Sequence, residues 1–467
     1  MVFSSLFFLY LFLPLCVICY AATKKNRYRN AVLIIFSLIF YAWGEPLCVF
    51  ILIISAALNY ILAFAIDKYR GKLMGKLAVF FAVFFDLAVL GIFKYSGFIA
   101  ENLNALLPLN LPVPDIKLPI GISFYTFQII SYVIDCHWEK VSVQKSFPKF
   151  LMYVSLFPQL VAGPIVRYST IESEISSRRT TLDDLSSGVS RIAVGLAKKV
   201  ILANNLNIIV EAFFGSDIKN LSVTGTWYAV MIYAMQIYFD FSGYSDMAIG
   251  LGRIFGFHFD ENFNYPFICK DVSEFWQRWH ISLSTFFRDY LLYVPIFGKR
   301  RKYGGLFLVW FCTGLWHGAS WNYIIWGLYF GMFIFIEQLI GKKKMKKIPL
   351  AVRHVYNKIV IIIGFGIFYF EDLSRLGDFF KNLIGLNSNS FIDEFTKLSV
   401  TNNLYLIVAA VICCFPFAKV IQNISKKNTG FSYTVAASRI VVNIALLLVS
   451  SILLVDATNN PFLYFRF

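Results

Sequence analysis

Long apolar stretches alternate with short polar segments along almost the whole chain. A helix needs about 20 apolar residues to cross a hydrocarbon core of about 30 Å, so this pattern predicts about eleven transmembrane helices. Several stretches are shorter or contain Gly and Pro, as at 44–46 and 162–164, which predicts half-helices or re-entrant segments that line a cavity. The apolar stretches are residues 3–21, 31–43, 47–66, 77–94, 119–134, 148–164, 186–213, 223–256, 304–340, 357–371, 403–421 and 434–455.

The composition leads to the same fold class. Of 467 residues, 58% are hydrophobic and only 15% are charged, which leaves too few polar groups to cover the surface of a water-soluble protein of this size. We therefore predict an all-α integral membrane protein, a single polytopic domain over residues 1–467 whose main solvent is membrane lipid.

The net charge of +16 follows the membrane pattern and does not indicate nucleic acid as a partner. Lys and Arg cluster between apolar stretches, so these loops are expected to face the cytoplasm. No basic cluster precedes residues 3–21 and one follows them, which predicts a retained first helix with an extracytoplasmic N-terminus and not a cleaved signal peptide. The basic clusters are residues 24–29, 68–76, 299–302, 342–347 and 426–427.

Candidate metal ligands show no useful spacing. The eight cysteines lie mostly within apolar stretches, and His137, His258 and His354 show no metal-ligand spacing with them or with one another. Neither a metal nor a bound cofactor is therefore expected.

Polar and ionisable residues concentrate between Asp240 and Gly331, in sequence that otherwise resembles membrane helices. Carboxylates in an apolar helix are costly unless they are paired. We therefore expect Asp240 and Asp246 to hold helices together through backbone groups or arginines, and we place Asn262 in the same structural class.

The segment 274–290 contains two tryptophans beside Arg278, followed by His280 and a run of hydroxyl residues. Such a composition suits an amphipathic helix at the membrane interface. His280 is equally compatible with an interfacial role and with a functional one. The basic stretch 298–302 that follows is placed to meet the phosphates of a cytoplasmic ligand.

His317 interrupts the apolar run from Leu306 to Ile340, whose two flanks are both basic. The run should therefore form a hairpin, and eleven helical residues from Leu306 rise about 16 Å, which places His317 near the membrane midplane. Desolvation there favours the neutral imidazole that a general base requires. Gly314 and Gly318 leave room for a substrate or another helix, and a purely structural histidine remains the alternative.

These residues resemble the membrane-bound O-acyltransferase family, most closely the bacterial branch that contains the alginate O-acetylase membrane subunit. The resemblance covers nearly the whole chain. One departure is Glu371, which follows Tyr369 and Phe370 where relatives often carry Arg. The motifs that carry the resemblance are Tyr41–Trp43, Pro119–Gln128, Leu156–Ile165, Phe275–Asp289 and Gly314–Asn322, of which the last two together are very specific.

The resemblance implies a helical shell around a thinned centre with a tunnel, and a catalytic core at about residues 119–340. It implies that His317 is the main catalytic residue and His280 its partner, with an acyl-CoA such as acetyl-CoA, or an acyl-carrier thioester, as co-substrate. His317 would take the proton of the acceptor hydroxyl while His280 orients or polarises the reacting groups. Residues expected to contact the substrates are Trp276, Arg278, Trp279, Ser282, Ser284, Arg288, Asp289, Tyr290, Trp316 and Asn322.

The resemblance also implies partners and a location. We expect a bacterial cytoplasmic membrane, an extracytoplasmic acetyltransferase partner and a polysaccharide acceptor. Transfer of D-alanine to teichoic acid is the second enzymatic interpretation. A proton-coupled transporter or flippase is the alternative from another class, although the two halves carry no matching broken helices, and a non-catalytic scaffold is a third.

Overall fold

The computed structural model describes residues 1–292, 302–387, 389–427, 429–455 and 462. Within these ranges the chain is helical, with no strand, so the predicted all-α class is confirmed. The chain divides into two compact units, one formed by residues 1–192 and 244–261 and the other by residues 193–243 and 262–467.

The first unit contains long apolar helices and short, buried ones. Asn59 and Asp86 connect two of the long helices, because the Asn59 side-chain amide lies 2.9 Å and 3.1 Å from the two Asp86 carboxylate oxygens. A π-helical segment, Phe8–Phe12, leads into the first α-helix. The helices are α1 (Leu13–Ala21), α2 (Asn26–Ala42), α3 (Cys48–Lys68), α4 (Leu73–Leu106), α5 (Ile122–His137), α6 (Phe147–Ser155), α7 (Phe157–Leu160), α8 (Tyr168–Ser176) and most of α9 (Leu182–Ala197).

The second unit holds the remaining helices and most of α11, whose last residues belong to the first unit. π-helical turns occur at Lys198–Ala203 and Arg288–Leu292. The helices are α10 (Asn204–Phe214), α11 (Val223–Ile254), α12 (Val272–Trp276), α13 (Ile281–Phe287), α14 (Lys302–His317), α15 (Trp321–Ile340), α16 (Lys342–Met345), α17 (Leu350–Tyr369), α18 (Leu373–Leu383), α19 (Glu394–Asn402), α20 (Leu404–Cys413), α21 (Phe417–Ser425) and α22 (Thr429–Val455).

Six helices among the described residues are long and apolar enough to cross a membrane, and a seventh span is possible if α19 and α20, bent by 64°, count as one. The chain is thus a multi-pass membrane protein, while the number of eleven crossings is not confirmed. The stretch 148–164 is split into α6 and α7. The six spans are Cys48–Lys68, Leu73–Leu106, Leu182–Phe214, Trp321–Ile340, Leu350–Tyr369 and Gly430–Val455.

The two carboxylates of α11 form ion pairs within their own units. In the first unit, Asp246 lies 2.9 Å from a guanidinium nitrogen of Arg191. In the second unit, Asp240 lies 2.6 Å from the Nζ atom of Lys199, so its partner is a lysine, where the sequence predicted backbone groups or an arginine. Pairing of this kind offsets the cost of burying each charge.

His258 of the first unit lies between two carboxylates, with Nδ1 2.7 Å from Glu174 and Nε2 3.1 Å from Asp184. The hydrogen bond to Glu174 raises the pKa of His258 above its ordinary value. A histidine whose pKa is higher in the folded state stabilises the fold fully below its unfolded pKa, about 6.5. That contribution is lost as the pH rises through the folded pKa.

We predict that His258→Gln lowers the thermal unfolding temperature in detergent at about pH 6 and changes it much less at about pH 9. Intrinsic tryptophan fluorescence follows the unfolding, and His354→Gln on α17 is the control. An equal effect of His258→Gln at both pH values would contradict the proposed stabilisation.

Candidate active site

An irregular segment of the second unit, residues 262–281, carries His280. Two backbone hydrogen bonds of 2.9 Å hold its ends together, from the Asn264 amide to the Arg278 carbonyl and from the Ile281 amide to the Asn262 carbonyl. His280 precedes α13 with a φ of 42°, a conformation that a non-glycine residue adopts only when its surroundings fix it. The segment therefore holds His280 in one defined place.

The His280 side chain is only 1% exposed and is enclosed by polar and aromatic groups. Its Nδ1 atom lies 3.1 Å from Oδ1 of Asn262. The Phe241 ring of α11 lies edge-on at 4.7 Å, and the Trp316 ring of α14 lies at 5.7 Å. The Ser282 hydroxyl lies 3.4 Å from the same Nδ1 atom. The ring is thus oriented by polar contacts with Asn262 and Ser282 and by aromatic contacts from two helices.

His317 is the last residue of α14, and residues 318–320 connect it to α15. Its ring contacts those of Trp326 at 4.8 Å and Phe368 at 5.0 Å. Trp316 contacts the rings of both histidines, His317 at 4.9 Å and His280 at 5.7 Å. The two histidines that lie 37 positions apart in sequence thus meet at one tryptophan.

The α14–α15 hairpin was predicted, but its glycines serve helix packing. A Cβ atom at Gly314 would collide with the Tyr323 carbonyl, and one at Gly318 would collide with the Tyr323 ring. The room beside these glycines is therefore occupied by α15. The depth of His317 in the membrane stays a prediction.

An aromatic wall, defined as Trp276, Trp310, Trp326 and Phe330, connects α12 with His317. The Trp276 ring lies 4.9 Å from Trp310 and 5.4 Å from Trp326, mostly edge to face. Such contacts fix ring positions in addition to burying apolar area. Because Trp326 also contacts His317, the wall extends without interruption from α12 to the histidine.

Two carboxylates hold α12 in place. Glu337 of α15 accepts hydrogen bonds from the backbone amides of Val272 (2.7 Å) and Ser273 (2.8 Å). Asp271 caps the same helix through the Glu274 amide at 2.8 Å. These interactions satisfy amides at the helix start that no helical carbonyl can reach.

A cleft of about 840 Å³ opens beside α12. Two of its three acidic residues are ion-paired, since Asp271 lies 2.7 Å from Arg353 and Glu274 lies 2.8 Å from Arg278. The third, Glu337, accepts the hydrogen bonds from α12. The lining residues are Asp271, Ser273, Glu274, Gln277, Leu292, Leu306, Glu337, Gln338, Gly341, Lys342, Met345, Lys346 and Arg353.

The other predicted substrate residues differ in their surroundings. Arg278 pairs with Glu274, and Arg288 pairs with Asp289 at 2.8 Å.

The Asn322 amide donates to the carbonyls of Ile367 and Phe368, both at 3.2 Å, so it caps α17 beside His317. Trp279 and Tyr290 are buried, and Ser282 and Ser284 lie on α13. Residues 298–301 of the predicted basic stretch lie outside the described residues.

Sequence reasoning missed three residues of this site. Trp326 and Glu337 occupy buried positions of α15, and Tyr323 donates a hydrogen bond of 2.8 Å to Glu371, the residue that departs from the family pattern. Glu337 was detectable as a carboxylate at the end of an apolar run. Trp326 was not, because aromatic residues are frequent throughout the chain.

Among the described residues, no group of three or more His, Cys, Asp or Glu side chains is arranged to hold a metal ion.

Known proteins resemble the chain over most of its length. Residues 35–376 match the model of the membrane-bound O-acyltransferase family. The probable alginate O-acetylase of Pseudomonas putida is 35% identical over the full length of both chains. The peptidoglycan O-acetyltransferase of Helicobacter pylori is 30% identical over 84% of this chain and 81% of its own. The teichoic acid D-alanyltransferase of Bacillus subtilis is 31% identical over 49% of this chain and 62% of its own.

We predict that Glu337→Ala lowers the free energy of unfolding by about 2 kcal/mol, because it leaves backbone amides at the start of α12 without their acceptor. Thermal unfolding in detergent measures the effect. Gln338→Ala is the matched control, since Gln338 is the exposed neighbour on α15. Equal stability of the two variants would contradict the anchoring of α12 by Glu337.

Proposed function

Since the chain belongs to the membrane-bound O-acyltransferase family, we propose that this O-acyltransferase moves an acetyl group from a cytoplasmic thioester across the membrane for the O-acetylation of an extracytoplasmic polysaccharide. Two of the relatives are named for O-acetylation of alginate and of peptidoglycan. The observation that supports a reaction in the second unit is the contact of His280 and His317 with the same Trp316 ring.

In the proposed reaction, His317 takes the proton from the acceptor hydroxyl as its oxygen attacks the thioester carbonyl carbon. The tetrahedral intermediate then collapses, the carbon–sulfur bond breaks, and the thiolate takes the proton from the His317 imidazolium. The products are an ester and a free thiol, and the histidine is regenerated. His280 orients or polarises the reacting groups.

The cleft beside α12 is our candidate entrance for the thioester. Lys342 and Lys346 line it and belong to the basic cluster that the sequence assigns to the cytoplasm. Gln277 of the lining follows Trp276 of the aromatic wall, and the wall leads to His317. A pantetheine arm placed along this path would present its acyl group to the histidine, while the lysines meet the phosphates.

We place the enzyme in the bacterial cytoplasmic membrane with its N-terminus outside. An extracytoplasmic acetyltransferase would receive the acetyl group and modify the polysaccharide. D-alanyl transfer to teichoic acid is the second candidate, favoured by the similarity to the D-alanyltransferase of Bacillus subtilis. It requires a D-alanyl carrier-protein thioester in place of acetyl-CoA.

We predict that the purified protein releases free thiol from acetyl-CoA when an acceptor is present. His317→Ala and His280→Ala should each lower the rate by about 10²–10⁴-fold, the usual contribution of acid–base catalysis. His354→Ala on α17 should leave the rate unchanged. Full activity of both site variants would contradict the histidine mechanism. Activity of the wild type with a D-alanyl carrier thioester only would support the second candidate.

We predict that the double change Lys342→Glu and Lys346→Glu raises KM for acetyl-CoA about tenfold, equivalent to about 1.4 kcal/mol, and leaves kcat nearly unchanged. Steady-state thiol release at several donor concentrations gives both constants. The matched control is Lys343→Glu with Lys344→Glu, which makes the same charge change within α16 at positions outside the cleft lining. The same KM in both double variants would exclude this entrance.

A further inference from the structure

Asn262 has a specific relation to the imidazole of His280. Its side chain is fully buried, and its Oδ1 atom lies 3.2 Å from the backbone nitrogen of Ser282 and 2.8 Å from the Ser282 hydroxyl. A backbone N–H can only donate, so the Asn262 atom facing it must be the carbonyl oxygen and not the amide nitrogen.

The same Oδ1 atom lies 3.1 Å from Nδ1 of His280. An oxygen that only accepts requires a proton on Nδ1, and a neutral imidazole carries one ring proton. The Nε2 atom of neutral His280 therefore carries a lone pair. It can accept a hydrogen bond or a proton, but it cannot donate a hydrogen bond to a thioester carbonyl.

We infer that Asn262 is a positioning residue that fixes the Nδ1–H tautomer of His280, so that His280 meets the substrates through Nε2 as an acceptor. This inference rests on the proposed function and decides between the two roles given there to His280. In that role, His280 orients an N–H group of the thioester substrate or the hydroxyl group of the acceptor substrate. It does not polarise the thioester carbonyl.

The surroundings of the ring are suited to such a role. Phe241 and Trp316 contact it and bring no charge. Asp240, the neighbour of Phe241 on α11, is paired with Lys199 at 2.6 Å. His317 contacts the same Trp316 ring. The two arginines that follow in the sequence are ion-paired, Arg278 with Glu274 and Arg288 with Asp289.

The test compares two Asn→Asp changes in one segment. Asn262→Asp places a carboxylate against Nδ1–H and favours the doubly protonated ring, which cannot accept through Nε2. The acid limb of the pH profile of kcat for thiol release should move to higher pH by about one unit or more. Asn264→Asp should leave the profile unchanged, because the Asn264 oxygen faces Lys419 at 3.1 Å and not a histidine.

Identical pH profiles for wild type and Asn262→Asp, with His280→Ala inactive, would overturn the inference and leave the proposed function intact. Absence of thiol release from the wild type would instead refute the proposed function.

¹⁵N-histidine NMR of the wild-type protein keeps the test decisive if Asn262→Asp does not fold. The chain has five histidines, and His280→Gln identifies the signal. The inference requires the Nδ1–H form, and an Nε2–H signal would refute it.

Discussion

The site depends on how the irregular segment 262–281 satisfies its buried backbone. Backbone groups that are removed from water and lie outside a helix must find partners within the protein, most strictly where lipid is the solvent. Here Glu337 supplies acceptors to the start of α12, and Asn262 supplies acceptors to the start of α13 and to the His280 ring. The polar residues that fix the fold are thus the same ones that orient a candidate catalytic group.

Aromatic packing provides the second part of this arrangement. The aromatic wall joins α12 to the α14–α15 hairpin, and Trp316 contacts both histidine rings. Rigid rings fill the interior of the second unit without adding groups that require hydrogen bonds, apart from the indole nitrogens. A reaction that must exclude water from a thioester benefits from such walls, because water competes with the acceptor hydroxyl.

The sequence predicted the parts of the structure that depend on local pattern. Apolar stretches and basic loops indicated a helical membrane protein, and His280 and His317 were visible as ionisable residues in apolar sequence. Long-range partners were not visible: Glu337 lies 65 positions from Val272, and Lys199 lies 41 positions from Asp240. The predicted number of eleven crossings is not confirmed, because hydropathy does not distinguish a spanning helix from a short buried one such as α6.

The central claim is that His280 and His317 face one reacting thioester in the second unit. A cryo-electron microscopy structure with a non-hydrolysable thioether analogue of acetyl-CoA tests it most directly. We predict density for the pantetheine arm along the aromatic wall, with the acyl carbon beside both histidine rings. An analogue bound at a place that neither histidine lines would contradict the claim.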